Sequence, residues 1–212
     1  MEISIELVKD LRQRTGAGVI DCKAALQEAQ GNMEAAIDYL RRKGLATAAK
    51  KAGRIATDGL VSSYIHAGGK MGVLVEINCE TDFVAKTGDF QTFVKNIAMH
   101  IAAANPQYNR REEIPEEALE REQAIYRTQA QDSGKPQKVI DKIVEGKMER
   151  FYSEVCLLEQ TYVRDSDLTI KELLDAMIAK IGENITIRRF ARFQLGEGLF
   201  SQSSTTASSS VK

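Results

Sequence analysis

Residues 60–101 decide the architecture. They run Leu60-Val61-Ser62-Ser63-Tyr64-Ile65, then Ala67-Gly68-Gly69-Lys70, then Val73-Leu74-Val75-Glu76-Ile77, and later a long apolar series from Phe90 to Ile101. The first and third pieces are rich in β-branched residues, and the Gly-Gly between them is hairpin-turn chemistry. Val73, Val75, Ile77 and Cys79 alternate with more polar neighbours, which is the period of a half-buried strand. From Phe90 the period changes. Phe90, Phe93, Val94, Ile97, Ala98 and Ile101 fall at i, i+3, i+4, i+7, i+8 and i+11, the spacing of one helix face. A hairpin followed by such a helix is an α+β arrangement, in which each element has one apolar side to cover.

Toward the N-terminus the pattern is helical. Ser4 is a good N-cap, with Ile3 and Val8 placed as a staple around it. Leu7, Val8 and Leu11 mark a first helix, which Thr15-Gly16-Ala17-Gly18 breaks. Cys22, Ala25, Leu26 and Ala29 mark a second. Asn32 caps a third, with Met33, Ala36, Ile37 and Leu40 facing inward and Gly44 as its expected stop. Leu45 to Gly53 is rich in Ala and Lys with no strong apolar face, and reads as a solvated, partly helical linker.

Toward the C-terminus, Asn105-Pro106 closes the Phe90 helix. A charged helix from Glu116, a turn at Ser133-Gly134-Lys135-Pro136, and a helix carrying Ile140, Val144, Met148, Phe151 and Val155 make a helical hairpin. Leu173, Leu174, Met177, Ile178 and Ile181 mark a last helix ending at Gly182. Ile185 to Leu195 is a closing strand whose alternation Arg188-Arg189 interrupts. The expected organisation is a three-helix unit (1–45), a basic linker (46–55), an α+β core (56–199) with a small antiparallel sheet and a helical hairpin at about 113–155, and a disordered Ser-rich tail (200–212).

Composition excludes several classes. With 212 residues and a net charge of −1, the chain lacks the overall basicity of a protein built to neutralise nucleic-acid phosphates. The three cysteines, Cys22, Cys79 and Cys156, are too scattered for a disulfide framework or a zinc site. Met1-Glu2-Ile3-Ser4 has neither a basic nor an apolar leader region, so no secretory signal is expected, and no apolar run is long enough to span a membrane. No phosphate loop, dinucleotide fingerprint or nucleophile elbow occurs. The two histidines, His66 and His100, fall in the hairpin and the helix, and His100 reads as a surface or half-buried helix residue rather than a base. No enzyme, metal or cofactor is implied.

Two segments invite a binding reading. Asn78-Cys79-Glu80-Thr81-Asp82-Phe83-Val84-Ala85-Lys86 lies where strand gives way to helix, and Thr81 or Asp82 makes a good cap. Phe83 is then either a staple into the core or a presented aromatic hot spot beside an acid. Val19-Ile20, at an interhelix turn, is either core filling or an exposed docking knob.

These segments also resemble the elongation factor Ts family. Leu11 to Gly18 with Asp21-Cys22-Lys23-Ala24-Ala25-Leu26 is similar to its N-terminal signature, Lys43 to Arg54 to its linker, and Glu76 to Ala85 to its central motif. Ser133-Gly134-Lys135-Pro136, Val144-Glu145-Gly146-Lys147 and Ile181-Gly182-Glu183-Asn184-Ile185 also match, so the resemblance spans residues 2–199. It implies a ubiquitin-associated-like three-helix domain that docks on elongation factor Tu through positions corresponding to Arg12, Val19 and Ile20. Many members carry Met-Met where this chain has Val19-Ile20. It implies that Thr81, Asp82, Phe83 and Val84 dislodge the partner's Mg²⁺, so that GDP leaves and GTP can bind. His66 resembles a contact residue of longer relatives. Those relatives contain two core copies; this chain is expected to hold one, and to restore the second surface by forming a homodimer. A cytoplasmic location follows from the resemblance, with an organelle matrix or stroma as the alternative. The rival readings are an RNA- or ribosome-binding module using the Arg41–Arg54 basic segment, which has no aromatic stacking platform, and a small-molecule enzyme at Asp82, which has no base, nucleophile or cofactor signature.

Overall fold

The computed structural model describes residues 3–132 and 134–198. The stretch expected to form a disordered tail lies outside them. Helix α1 (Ile5–Thr15) starts where Ser4 Oγ accepts the Leu7 N–H at 3.2 Å. It stops at Gly16, whose φ of 67° suits a residue without a Cβ and lets its N–H reach the Arg12 carbonyl. Helices α2 (Val19–Glu28) and α3 (Met33–Lys51) follow, the latter capped by Asn32 Oδ1 accepting from the Ala35 N–H at 3.0 Å. Leu11, Cys22, Ala25, Leu26 and Ala36 are sealed between the three helices, with Ile3, Leu7, Val8, Met33, Ile37 and Leu40 packed around them.

Strands β1 (Asp58–Ile65) and β2 (Met71–Cys79) form the expected hairpin, with Tyr64 opposite Val73 and Leu60 opposite Ile77. A four-residue helix α4 (Asp82–Ala85) leads into α5 (Gly88–Ala104). The helical hairpin consists of α6 (Glu116–Gln131) and α7 (Gln137–Val155). A short ribbon, β3 (Thr161–Tyr162) with β4 (Asp165–Thr169), precedes α8 (Ile170–Ile181) and β5 (Ile185–Gln194). β5 pairs with the second edge of β2, so the main sheet is antiparallel in the order β1-β2-β5.

One face of this sheet is the core. Val73, Val75, Ile77 and Cys79 from β2, with Ile185 and Ile187 from β5, are buried against Phe90, Phe93, Val94, Ile97, Ala98 and Ile101 of α5. Each fully buried side chain of this size is worth roughly 1.5–3 kcal/mol relative to exposure, so the six-position stripe of α5 fixes the helix on the sheet. Ile170, Leu174 and Ile178 of α8 complete the same cluster. The helical hairpin has a separate small core of Ala130, Ile140, Val144 and Met148.

Two expectations are corrected and a third is given its cause. Gly44 does not end α3, which continues through it to Lys51, so the stretch read as a solvated, partly helical linker is helical from Leu45 to Lys51. Local propensity is overridden by packing: Gly44 faces Ala179 of α8, Ala48 is buried, Arg41 pairs with Glu172, and Lys51 Nζ donates to the Gly182 carbonyl. His100 is neither exposed nor half-exposed but fully buried. Its Nδ1 accepts the Val163 N–H at 3.3 Å, which leaves Nε2–H to donate to Gln160 Oε1 at 2.9 Å. Burial pushes its pKa down, so the ring is held neutral. Finally, the broken alternation at Arg188-Arg189 is a β-bulge. Glu76 pairs with Arg189 and Ile77 with Ile187, which leaves Arg188 as the extra residue. Both arginines then reach one carboxylate, Arg188 Nη1 and Arg189 Nε each lying 2.7 Å from Glu76.

Candidate protein-docking site

After Cys79 the chain leaves the sheet and must turn into α5. Thr81 makes that turn: its hydroxyl accepts the Val84 N–H at 3.4 Å and so caps α4. In a helix of four residues only one side can face the core, and Val84 and Ala85 take it. Phe83 therefore points away and is 80% exposed. This removes the staple reading of Phe83. A phenyl ring left in water by its own fold is available to another surface. Asp82 lies beside it, paired with Lys86 at 2.5 Å, and both side chains are solvated. Thr87 closes the segment, donating to the Val84 carbonyl at 2.8 Å and capping α5 through the Phe90 N–H.

The turn is held from below by residues a hundred positions away. Glu183 Oε2 accepts the N–H groups of Glu80 at 3.1 Å and Thr81 at 3.0 Å, while Oε1 accepts the Thr81 hydroxyl at 2.7 Å. In return Glu80 Oε1 accepts the Asn184 N–H at 2.6 Å. That bond, with Arg54 nearby, holds the Glu80 carboxyl below the ordinary glutamate range. The Asn184 amide donates to the Arg54 carbonyl at 2.7 Å, so the residue just past α3 joins the same knot. Sequence reasoning singles out none of Glu80, Glu183, Asn184 or Arg54 as a site residue. The only signal is that each falls inside one of the quoted motifs: Glu80 in the central motif, Arg54 at the end of the linker and Glu183-Asn184 in the last.

The second candidate surface lies on the three-helix unit. Val19 and Ile20 open α2 and are 54% and 84% exposed, so this pair is not core filling. Arg12, in the last turn of α1, is exposed on the other side of the same interhelix turn, and no ion pair engages it among the described residues. Arg12 near the end of α1 and Val19-Ile20 at the start of α2 thus flank the same interhelix turn, all three exposed. The structure does not bring His66 to Phe83. His66 sits at the tip of the β1–β2 hairpin, with Nδ1 3.0 Å from the Tyr64 hydroxyl, whereas Thr81 follows the opposite end of β2. At ~3.3 Å per residue a strand of this length separates the two by about 25 Å.

The basic segment is largely used internally. Arg41 pairs with Glu172, Lys43 with Asp21 at 2.8 Å, and Arg54 with Glu80 at 3.5 Å. The cysteines offer no nucleophile: all three are buried, and burial raises the thiol pKa values, those of Cys79 and Cys156 to about 11. Among the described residues no cluster of three His, Cys, Asp or Glu is arranged to hold a metal ion, and no helix is long and apolar enough to cross a membrane. Exposed apolar side chains stand at both candidate surfaces, Phe83 on the turn capped by Thr81 and Val19-Ile20 at the start of α2.

Residues 24–177 match the family model described as elongation factor TS. The chain belongs to the elongation factor Ts family. Its similarity to members of that family is high and nearly end to end. It is 63% identical over 197 residues to elongation factor Ts of Carboxydothermus hydrogenoformans, covering 93% of this chain and 91% of the relative. It is 62% identical over 199 residues to that of Geobacter sulfurreducens, covering 94% and 92%. It is 64% identical over 197 residues to that of Caldanaerobacter subterraneus, covering 93% and 98%. The family match contains the Thr81–Val84 turn and His66 and begins inside α2, beyond Arg12, Val19 and Ile20.

Proposed function

We propose that the chain is a guanine-nucleotide exchange factor of translation elongation, binding elongation factor Tu·GDP and promoting GDP release by contact alone. In this reading the three-helix, ubiquitin-associated-like unit docks through Arg12, Val19 and Ile20. The Thr81-Asp82-Phe83-Val84 turn then inserts the Phe83 ring into the GTPase. A Mg²⁺ ion demands near-ideal octahedral geometry, so a small displacement of its protein ligands weakens it sharply. Loss of the ion removes charge neutralisation from the diphosphate, and GDP leaves. Because binding couplings are reciprocal, GDP and Mg²⁺ in turn weaken the grip of the exchange factor, by ~1–3 kcal/mol or more. His66, distant from Phe83 along the hairpin, is a contact for a different part of the partner.

The observation that carries this proposal is the solvent-exposed Phe83 on a turn braced by Glu183. The test is release of a fluorescent GDP from elongation factor Tu. A rate accelerated in proportion to added protein supports it, and an unchanged rate at saturating concentration removes it. The RNA-binding alternative is disfavoured because Arg41, Lys43, Lys51 and Arg54 have intramolecular partners.

We further propose a homodimer. The outer face of the β1-β2-β5 sheet exposes Val61, Ile65, Leu74, Phe193 and Leu195 beside a shallow cavity of about 460 Å³, an apolar area suited to a second copy. Light scattering that returns a strict monomer at micromolar concentration eliminates it. The similar relatives are bacterial, which supports a cytoplasmic location.

A further inference from the structure

We infer that Glu183, acting with Glu80, is a positioning residue: the two carboxylates fix the presentation of Phe83 and thereby set the rate of nucleotide release rather than the strength of docking. The inference rests on the Phe83 reading above. Two turns are involved, one following β2 and one preceding β5, and each sends a carboxylate into the backbone of the other. Glu183 takes three donors, the Glu80 and Thr81 N–H groups and the Thr81 hydroxyl; Glu80 takes the Asn184 N–H. These are charge-assisted bonds, about twice as strong as neutral ones.

The geometry gives Glu183 control over α4. The Thr81 hydroxyl proton is directed at Glu183 Oε1, which turns an oxygen lone pair toward the Val84 N–H and completes the cap. A helix of four residues lies far below the length that sustains itself. Its inward anchors are Val84 and Ala85 alone, and the solvated Asp82–Lys86 pair contributes little. The direction of the Phe83 ring therefore follows from where Thr81 is pinned. Arg54 extends the knot to the end of α3: its guanidinium lies 3.5 Å from Glu80 Oε2 and its carbonyl accepts from Asn184. The Phe83 turn is thus registered against the helix that carries the docking unit.

Glu183 Oε2 faces two N–H groups, which can only donate, and Oε1 faces the Thr81 hydroxyl, which can also accept. Glu183→Gln keeps the size but removes the charge, and its NH₂ can meet the Thr81 hydroxyl only as a donor, so the hydroxyl proton is no longer drawn to Oε1 and the charge-assisted bonds are lost. In the full chain acting on elongation factor Tu·GDP, this change is expected to lower the maximal GDP-release rate roughly tenfold, as for loss of one bond to a charged group, while the half-saturating concentration moves less than about twofold. The chain contains no tryptophan, so Phe83→Trp is a unique reporter. Its fluorescence anisotropy decay should gain a fast local component in the Glu183→Gln background. Glu80→Gln, which removes the charge facing Arg54 and weakens the bond from the Asn184 N–H, is the second variant and should move both readouts in the same direction by less. If Phe83→Ala abolishes stimulation but both Glu variants keep the full rate, the positioning role is overturned and the Phe83 reading stands. Equal losses in rate and docking, with the mobility of the reporter indole unchanged, also overturn it. Unaltered exchange by Phe83→Ala overturns the reading itself.

Discussion

Replacing Phe83 by Ala separates what the ring does for this fold from what it does for a partner. Because the side chain is 80% exposed, truncation leaves no cavity and removes no core contact. Surface changes of this kind stay within about 0.5 kcal/mol, which in a chain of this size is less than about 2 °C in Tm. At an interface the same ring is worth far more. Full burial of a phenyl side chain contributes roughly 1.5–3 kcal/mol, so burying the exposed four-fifths offers about 1.2–2.4 kcal/mol. If that energy is realised only when the GTPase is distorted, the maximal release rate falls about 8- to 60-fold, at about 1.36 kcal/mol per decade. Stopped-flow release of fluorescent GDP at saturating exchange factor measures the rate, and thermal unfolding followed by circular dichroism measures the fold. Full stimulation with an intact melting curve would falsify the wedge. A drop in Tm of many degrees would show that the ring serves the chain's own core.

Ile20→Asp should act on the other contact, raising the concentration for half-maximal stimulation about tenfold or more with a much smaller effect on the maximal rate, since a charge then faces the docking surface in place of an aliphatic side chain. A titration of release rate against concentration separates the two. His100 supplies a pH signature. Its folded pKa lies below its unfolded value of 6.5, so the unfolded chain binds the extra proton first and stability falls as pH drops below about 6.5. Urea midpoints between about pH 7.5 and 5.5 should decline for the wild type and flatten for His100→Leu. That variant also leaves the Val163 N–H and Gln160 Oε1 without a partner, a loss of about 1–3 kcal/mol at neutral pH.

Much of this architecture is legible in the order of residues. The stripe from Phe90 to Ile101 and the alternation from Val73 to Cys79 each follow from a local period, and both elements lie where those periods place them. Thr81 as a cap is equally local. The failures share one cause: a distant partner. Gly44 is a good helix stop until α8 offers Ala179 and Glu172 to the turns around it. His100 sits seven residues after Phe93, on the edge of the apolar face of α5, and only Gln160 and Val163, some sixty residues on, make burial of its polar ring tolerable. Arg188 breaks a strand pattern because Glu76 on the neighbouring strand accepts two guanidiniums. At the site, Thr81 and Phe83 are readable, but whether Phe83 faces in or out is not. The brace from Glu183 is invisible, since no periodicity connects residues 102 positions apart.

Helix α3 carries one more consequence. Its 19 residues make a rod of about 28 Å, with Ala36 locked among the first helices and Ala48 locked against α8. Each residue advances the rod by about 100°, so removing or adding a single one between Leu40 and Ala48 would swing everything downstream a quarter-turn or more around the axis. Point substitutions along this stretch leave the phase intact; insertions and deletions do not. The rod should therefore vary freely in spelling across related chains while keeping its letter count.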